Sequence, residues 1–152
     1  MSAFARLDPA PFKAEQELAA LIAQADGDGA IVSFTGLARP QSANGRKISR
    51  LILEAHPTLT VQSLEGIAAD ALTRFDVSHV RVVHRCGDVP PGGSIVFAGA
   101  ASRHRRAAFD AVDYLMDRLK TDAILWKQEV GTDRSEWIES TDADRAERER
   151  WD

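Results

Sequence analysis

Apolar residues recur along this chain with two spacings, and the change from one to the other divides it into elements. Over residues 12–25 they fall at Phe12, Leu18, Leu21, Ile22 and Ala25, which predicts a helix. Asp8-Pro9-Ala10-Pro11 reads as an extended lead-in, and Asp26-Gly27-Asp28-Gly29 ends the helix. At 30–35 the spacing drops to two, with Ala30, Val32 and Phe34 on one face of a strand and Ile31, Ser33 and Thr35 on the other. Residues 48–55 resume as a strand, and Pro57 breaks it. Residues 58–75 carry Val61, Leu64, Ile67, Ala68, Ala71, Leu72 and Phe75, a 3.6-residue repeat. Strands at 79–85 and 94–100 flank a long turn at 87–93, rich in glycine and proline. A third helix is predicted over 103–120, capped by Ser102, with Phe109, Val112, Met116 and Leu119 facing a sheet. Residues 123–130 read as a short strand or extended edge, and 136–138 as another short strand. Residues 141–151 read as a charged helix with little to bury.

Strand pairs with interleaved helices suggest an α+β fold rather than a doubly wound parallel one. No repeat or low-complexity linker interrupts the chain, so a single domain over 1–152 is expected. Two segments stand apart from it. Residues 36–47 read as a flexible basic loop, with Arg39, Arg46, Lys47, Pro40 and an Asn44-Gly45 turn signal. Residues 139–152 read as a charged C-terminal tail or helix.

Composition narrows the function classes. Hydrophobic residues make up 44% and charged residues 28%, enough for a core without a metal or disulphide staple. Cys86 is the single cysteine, and with the histidines at 56, 79, 84 and 104 it makes no CxxC or HExxH spacing, so no metal is expected. The net charge of −4, one tyrosine and scattered aromatics speak against a nucleic-acid binder. The N-terminus lacks the pattern of a secretory signal, and no apolar stretch approaches the roughly 20 residues of a membrane span, which makes the cytoplasm the expected location.

The strongest chemical signal is Ser102-Arg103-His104-Arg105-Arg106, at the handover from strand to helix. A first helical turn offers free N–H groups and the positive end of the dipole, so basic side chains there suit a phosphate or carboxylate. A solvated basic patch is the competing reading. His104 can relay a proton near neutral pH, although a lone histidine is more often structural. Lys120 closes the same helix, an ordinary charge placement. Lys127, between Trp126 and Gln128, lies in a stretch that must bury apolar area, where a lysine loses its proton more readily. An undisturbed surface lysine is the commoner case. No nucleophile elbow, P-loop or dinucleotide fingerprint is present.

The order of these pieces resembles the large subunit of molybdopterin synthase. The resemblance runs from Phe12 to about Trp151. It rests on the run from Gly29 to Gly36 with Arg39, on Leu53-Glu54-Ala55-His56-Pro57, on His84-Arg85-Cys86-Gly87 and on Ser102-Arg103-His104-Arg105 with Phe109. It continues through the run from Tyr114 to Lys120 and through Trp126-Lys127-Gln128-Glu129. Three positions depart from the family pattern: His56 stands where tyrosine is usual, Gly93 replaces an acidic residue, and Arg103 replaces a small one.

The resemblance implies an α/β-hammerhead domain with an additional antiparallel β subdomain, self-associated as a central dimer. It implies a small ubiquitin-like partner whose C-terminal Gly-Gly tail, activated as a thiocarboxylate, enters a pocket of the large subunit. Two sulphur transfers to cyclic pyranopterin monophosphate then yield the molybdopterin dithiolene, with no cofactor, membrane or nucleic acid involved. Lys120 matches the family's main catalytic lysine and Lys127 the second. Arg39 and Arg105 are expected to recognise phosphate or tail, His104 to orient substrate or relay a proton, Arg103 and Arg106 to flank the pocket, and Glu129 either to orient a lysine or to form a salt bridge. The alternatives are a non-catalytic partner-binding scaffold of the same fold and an unrelated phosphate-ligand-binding domain.

Overall fold

The computed structural model describes residues 1–152, in which eight strands and four helices follow one another. The first half runs β1 (Ser2–Asp8), α1 (Ala14–Gln24), β2 (Ala30–Leu37), β3 (Arg50–Ala55), α2 (Leu59–Arg74) and β4 (His79–Arg85). The second half runs β5 (Gly87–Val89), β6 (Ser94–Ser102), α3 (Arg105–Thr121), β7 (Leu125–Val130), β8 (Ser135–Ile138) and α4 (Asp142–Glu149).

The strands divide into two four-stranded sheets. The first has the order β1-β4-β6-β2, with β1 parallel to β4 and the other neighbours antiparallel. Alternation along its strands sends side chains to two faces. One face packs Phe12, Val83 and Phe97 beside α1. The other packs Val80, Val82, Val96, Ala98 and Ala100 against Leu64, Ile67 and Ala71 of α2 and Ala111, Leu115 and Leu119 of α3. Gly99 sets how closely α1 approaches, since a Cβ there would meet the Leu21 side chain at 2.7 Å. The second sheet is antiparallel, in the order β5-β3-β7-β8, and buries Ala38, Leu51, Leu53 and Val89. This is the α+β architecture expected, an α/β-hammerhead with an added antiparallel subdomain.

Several elements differ from the sequence reading. The lead-in is preceded by β1, whose alternation is carried by small Ala3 and Ala5 and interrupted by Arg6. Ile22 is 54% exposed. The inward positions belong to Leu21 and, one turn earlier, to Glu17, held by Arg6 at 3.1 Å and by Arg81 at 2.8 Å. Phe109 is 52% exposed, because the face of α3 toward the sheet is built from Ala108, Ala111 and Leu115. Phe34 is likewise turned outward, at 43% exposure.

The third helix starts at Arg105 with His104 as its N-cap residue, and the Ser102 hydroxyl accepts the His104 N–H at 3.2 Å rather than capping the first turn. β7 lies inside its sheet, between β3 and β8, and is no edge. The 36–47 segment opens as the end of β2, and its later part is tied by Ile48 N–H to the Pro40 carbonyl and by a Gln41–Lys47 bridge.

The C-terminal helix has more to bury than its charges suggested. Trp151 packs edge-on against Phe75 at 5.7 Å and Tyr114 at 5.5 Å, and its Nε1–H donates to Asp117 at 2.7 Å. Arg148 binds Asp122 and Arg150 binds Asp117, both at 3.0 Å. No helix is long and apolar enough to cross a membrane.

Candidate active site

α3 separates the predicted site residues into two groups. Arg105 opens the helix and Lys120 stands one residue from its end. At 1.5 Å per residue they lie about 22 Å apart along the axis. The expectation that Arg39, His104, Arg105, Lys120 and Lys127 share one pocket therefore does not hold within a single chain.

The group at the start of α3 lines a recess of about 390 Å³ formed by Gly29, Ala30, Arg103, His104, Arg105 and Arg106. β2 pairs with β6 here, Ala30 against Ser102, and Gly29 admits the close approach, since a Cβ would meet the Arg103 carbonyl at 2.7 Å. No acidic residue occupies the first turn. The free N–H groups and dipole of α3 thus face the recess with basic side chains around them. Arg103 is drawn off toward Asp76, an exposed pair at 3.5 Å.

The group at the far end joins Lys120 to Lys127, with Arg39 near enough for its charge to act on Lys127. The register explains why Lys127 is half-buried. Gly87, Leu53, Lys127 and Ile138 form one row across the second sheet, so the lysine shares a face with buried Leu53. Glu129 follows two residues later on that face. Burial pushes the Lys127 ammonium below the ordinary lysine range, and the charges of Lys120 and Arg39 act in the same direction against Glu129 and Asp144.

Free charge marks both groups. Ten arginines form ion pairs with carboxylates: Arg6, Arg46, Arg50, Arg81, Arg103, Arg118, Arg134, Arg145, Arg148 and Arg150. Arg85 donates to the carbonyls of Pro9, Cys86 and Asp88, and Arg74 stacks on Phe75, Tyr114 and Trp151. The arginines without any such partner are Arg39, Arg105 and Arg106, all predicted site residues.

Asp144 is a further member of the second group, one that the sequence does not single out. It closes a capping box with Thr141, its carboxylate accepting the Thr141 N–H at 3.0 Å. That backbone bond, above all, holds its pKa below the usual range, and Lys120 and Lys127 add to the effect. The Ser/Thr-x-x-acid pattern is legible in the chain, but its position over the lysines depends on how α4 docks.

Cys86 offers no ready nucleophile. Burial pushes its thiol up more than the charge of Arg85 brings it down. No group of three or more histidine, cysteine, aspartate or glutamate side chains is arranged to hold a metal. Among the departures from the family pattern, His56 serves the local backbone. Its Nδ1 accepts the N–H of Thr58 at 3.2 Å and of Leu59 at 3.1 Å, at the start of α2. Gly93 is required by space, since a Cβ would meet the Val89 side chain at 2.7 Å.

The family model of the MoaE protein matches residues 7–122, from the end of β1 through the whole of α3. The chain belongs to the MoaE protein family. The molybdopterin synthase catalytic subunit of Caulobacter vibrioides is 43% identical to this MoaE-family chain over 142 residues, 93% of each. That of Pseudomonas aeruginosa is 42% identical over 147 residues, 97% of each. The solved molybdopterin biosynthesis MoaE protein of Burkholderia ambifaria superposes with a TM-score of 0.83 at 34% identity, covering 99% of this chain and 98% of that one.

Proposed function

We propose that this chain is the catalytic subunit of a molybdopterin synthase, acting in the cytoplasm. It transfers sulphur from the C-terminal thiocarboxylate of a small ubiquitin-like partner to cyclic pyranopterin monophosphate, and forms the molybdopterin dithiolene. The observation that carries this reading is the pair of unneutralised cationic groups at the two ends of α3, in a chain whose other arginines are all paired, carbonyl-bound or stacked. Substrate phosphate and partner tail are both anions, and they would supply the missing counter-charge.

The roles follow from position. Lys120 and Lys127 are the catalytic pair. Lys120 meets the thiocarboxylate carbonyl and stabilises charge that develops there. Lys127, its ammonium weakened by burial, holds substrate and takes part in the protonation changes that accompany opening of the cyclic phosphate. Glu129 steadies Lys127 electrostatically. Arg39 and Arg105 recognise phosphate or tail. His104 orients substrate or relays a proton, while Arg103 and Arg106 flank the recess. The attacking sulphur comes from the partner, consistent with a Cys86 thiol held protonated.

The separation along α3 gives the central dimer a chemical purpose. A second copy related by a two-fold axis brings the start of its α3 to the lysines of the first, and completes two identical sites. The test is molybdopterin formation from cyclic pyranopterin monophosphate and thiocarboxylated small subunit. Product from the parent chain with a large loss in Lys120→Ala supports the reading. No product from the folded parent with a competent partner favours the partner-binding scaffold.

A further inference from the structure

The motif His84-Arg85-Cys86-Gly87 has no part in the reaction as proposed, yet its residues are closely held. Val80, Val82 and His84 share the face of the first sheet that α2 and α3 cover, with both valines fully in its core. His84 pairs with Val96, near the start of β6. α3 runs back along β6, so Leu119 and Lys120 return to this same end of the sheet. Beyond His84 the chain crosses to the second sheet within three residues. There Gly87 pairs with Leu53, and Leu53 with Lys127. His84 therefore sits at the junction of the sheets, and the charge of Lys127 reaches its ring.

Its protonation state is set by its surroundings. His84 is 9% exposed, and its Nδ1 lies 2.8 Å from the Arg85 carbonyl oxygen. A carbonyl only accepts, so Nδ1 carries the proton. Burial, joined by the charge of Lys127, drives the imidazolium pKa down to about 4 despite that backbone bond. The ring is neutral at physiological pH, and Nε2 keeps a lone pair. The Arg85 guanidinium fixes the surrounding backbone through the carbonyls of Pro9 and Cys86 at 3.0 Å and of Asp88 at 2.6 Å.

Nε2 of His84 and Nζ of Lys127 complement each other. Neither has a hydrogen-bond partner within the chain, and no buried side-chain nitrogen is both unpartnered and sealed from solvent. An acceptor without a donor thus opens at the end of the fold that holds a donor without an acceptor. We propose that His84 is a positioning residue for Lys127, its Nε2 accepting a hydrogen bond from the lysine ammonium. The two do not touch in the conformer Lys127 adopts here, and its flexible four-carbon stem supplies the movement. Lys127 also faces Lys120 from α3, Arg39 from the segment after β2, Glu129 on its own strand and Asp144 from α4. Among these charged groups a neutral acceptor restrains Nζ without cancelling the charge that an anionic substrate needs. The consequence for catalysis rests on the function proposed above; the contact itself does not.

Two substitutions separate the ring nitrogens. His84→Asn keeps a donor for the Arg85 carbonyl and removes the acceptor at Nε2. His84→Gln places an amide oxygen near Nε2. The measurement is the titration of the Lys127 side chain by lysine-selective NMR, without substrate or partner, on variants shown to be folded. Loss of the acceptor destabilises the ammonium, so the Lys127 midpoint falls in His84→Asn and returns toward the parent in His84→Gln. In turnover, kcat falls about tenfold in the first and recovers in the second. An unchanged Lys127 midpoint in all three proteins, or an equal fall in both variants, overturns the proposal. Should His84→Asn fail to fold, His84→Leu carries the same expectation.

Discussion

The two ends of α3 carry the same kind of charge in opposite settings. At the start, Arg105 and Arg106 are exposed around a recess, and their attraction for an anion is reinforced by the helix dipole. At the finish, Lys127 is half-buried beside Leu53 and ringed by Lys120, Arg39, Glu129, Asp144 and His84. Exposure leaves the first group adaptable, as suits docking. Burial makes the second sensitive to each neighbour, as suits chemistry that needs a lysine to change its protonation state. A helix of fixed length holds the two about 22 Å apart, so the proposed composite site draws them from two chains.

The largest expected effect tests this division directly. Lys120→Ala lowers kcat by about a hundredfold or more, the range for removing one transition-state charge partner. Arg105→Ala acts mainly on KM, as expected for a contact that binds ground state and transition state alike. Steady-state kinetics on both variants check the split. If Arg105→Ala instead cuts kcat alone, the assignment of docking to the start of α3 is wrong.

Mixing the two variants asks whether the ends meet across a dimer. In a composite site, a hybrid dimer pairs one intact Lys120 with one intact Arg105 at one of its two sites. At substrate well below the raised KM of Arg105→Ala, where each variant alone turns over little, random exchange then restores about a quarter of parental activity. Ends that worked within one chain would give no recovery. The assay is molybdopterin formation after the two proteins are mixed and allowed to exchange subunits.

How far the sequence reveals this arrangement differs between the two ends. The start of α3 is legible because four basic residues cluster within five positions, and local composition is what a sequence displays. The lysines are found through resemblance. Their setting is legible only in outline: the apolar stretch around Lys127 suggests its burial, but the neighbours that surround it follow from a strand register that places it across from Leu53. The same holds for Glu17, a polar residue at an inward helical position, explained only once β1 and β4 bring Arg6 and Arg81 to it. Burial alone would raise its pKa, and those two arginines override that effect. Most elements can be read from periodicity. β1 escapes it because alanines carry its alternation, and Phe109 misleads because the sheet-facing side of α3 is lined by smaller residues.

Trp151 offers a smaller perturbation that reaches one end of α3 and spares the other. Trp151→Ala removes its edge-on contacts with Phe75 and Tyr114 and its bond to Asp117. The expected cost is about 2 kcal/mol, below that of a fully buried tryptophan because the ring is part-exposed. α4 then holds less firmly and Asp144 withdraws from the lysines, so the Lys127 ammonium titrates lower still. Denaturant unfolding with lysine NMR checks both parts. No shift in Lys127 and no loss of stability would mean that α4 is held by Arg148 and Arg150 alone.

The smallest effect compares the stability cost of the two ends. Burial holds the pKa of Lys127 below its unfolded value, so over the interval between them the unfolded chain binds more protons and stability rises with pH. At neutral pH the buried ammonium is therefore a net cost, and Lys127→Met removes it while keeping the stem's volume. Lys127→Met should be more stable than the parent by about 1 kcal/mol at pH 7 and inactive. The difference closes as pH climbs toward the ordinary lysine range, where the parent sheds its own proton. Arg105→Met at the exposed end should change stability by less than about 0.5 kcal/mol at any of these pH values. Thermal melts across pH test the contrast. A Lys127→Met variant less stable than the parent at neutral pH would show that Glu129, Asp144 and His84 already compensate the buried charge, and that this end of the helix is not held under electrostatic strain.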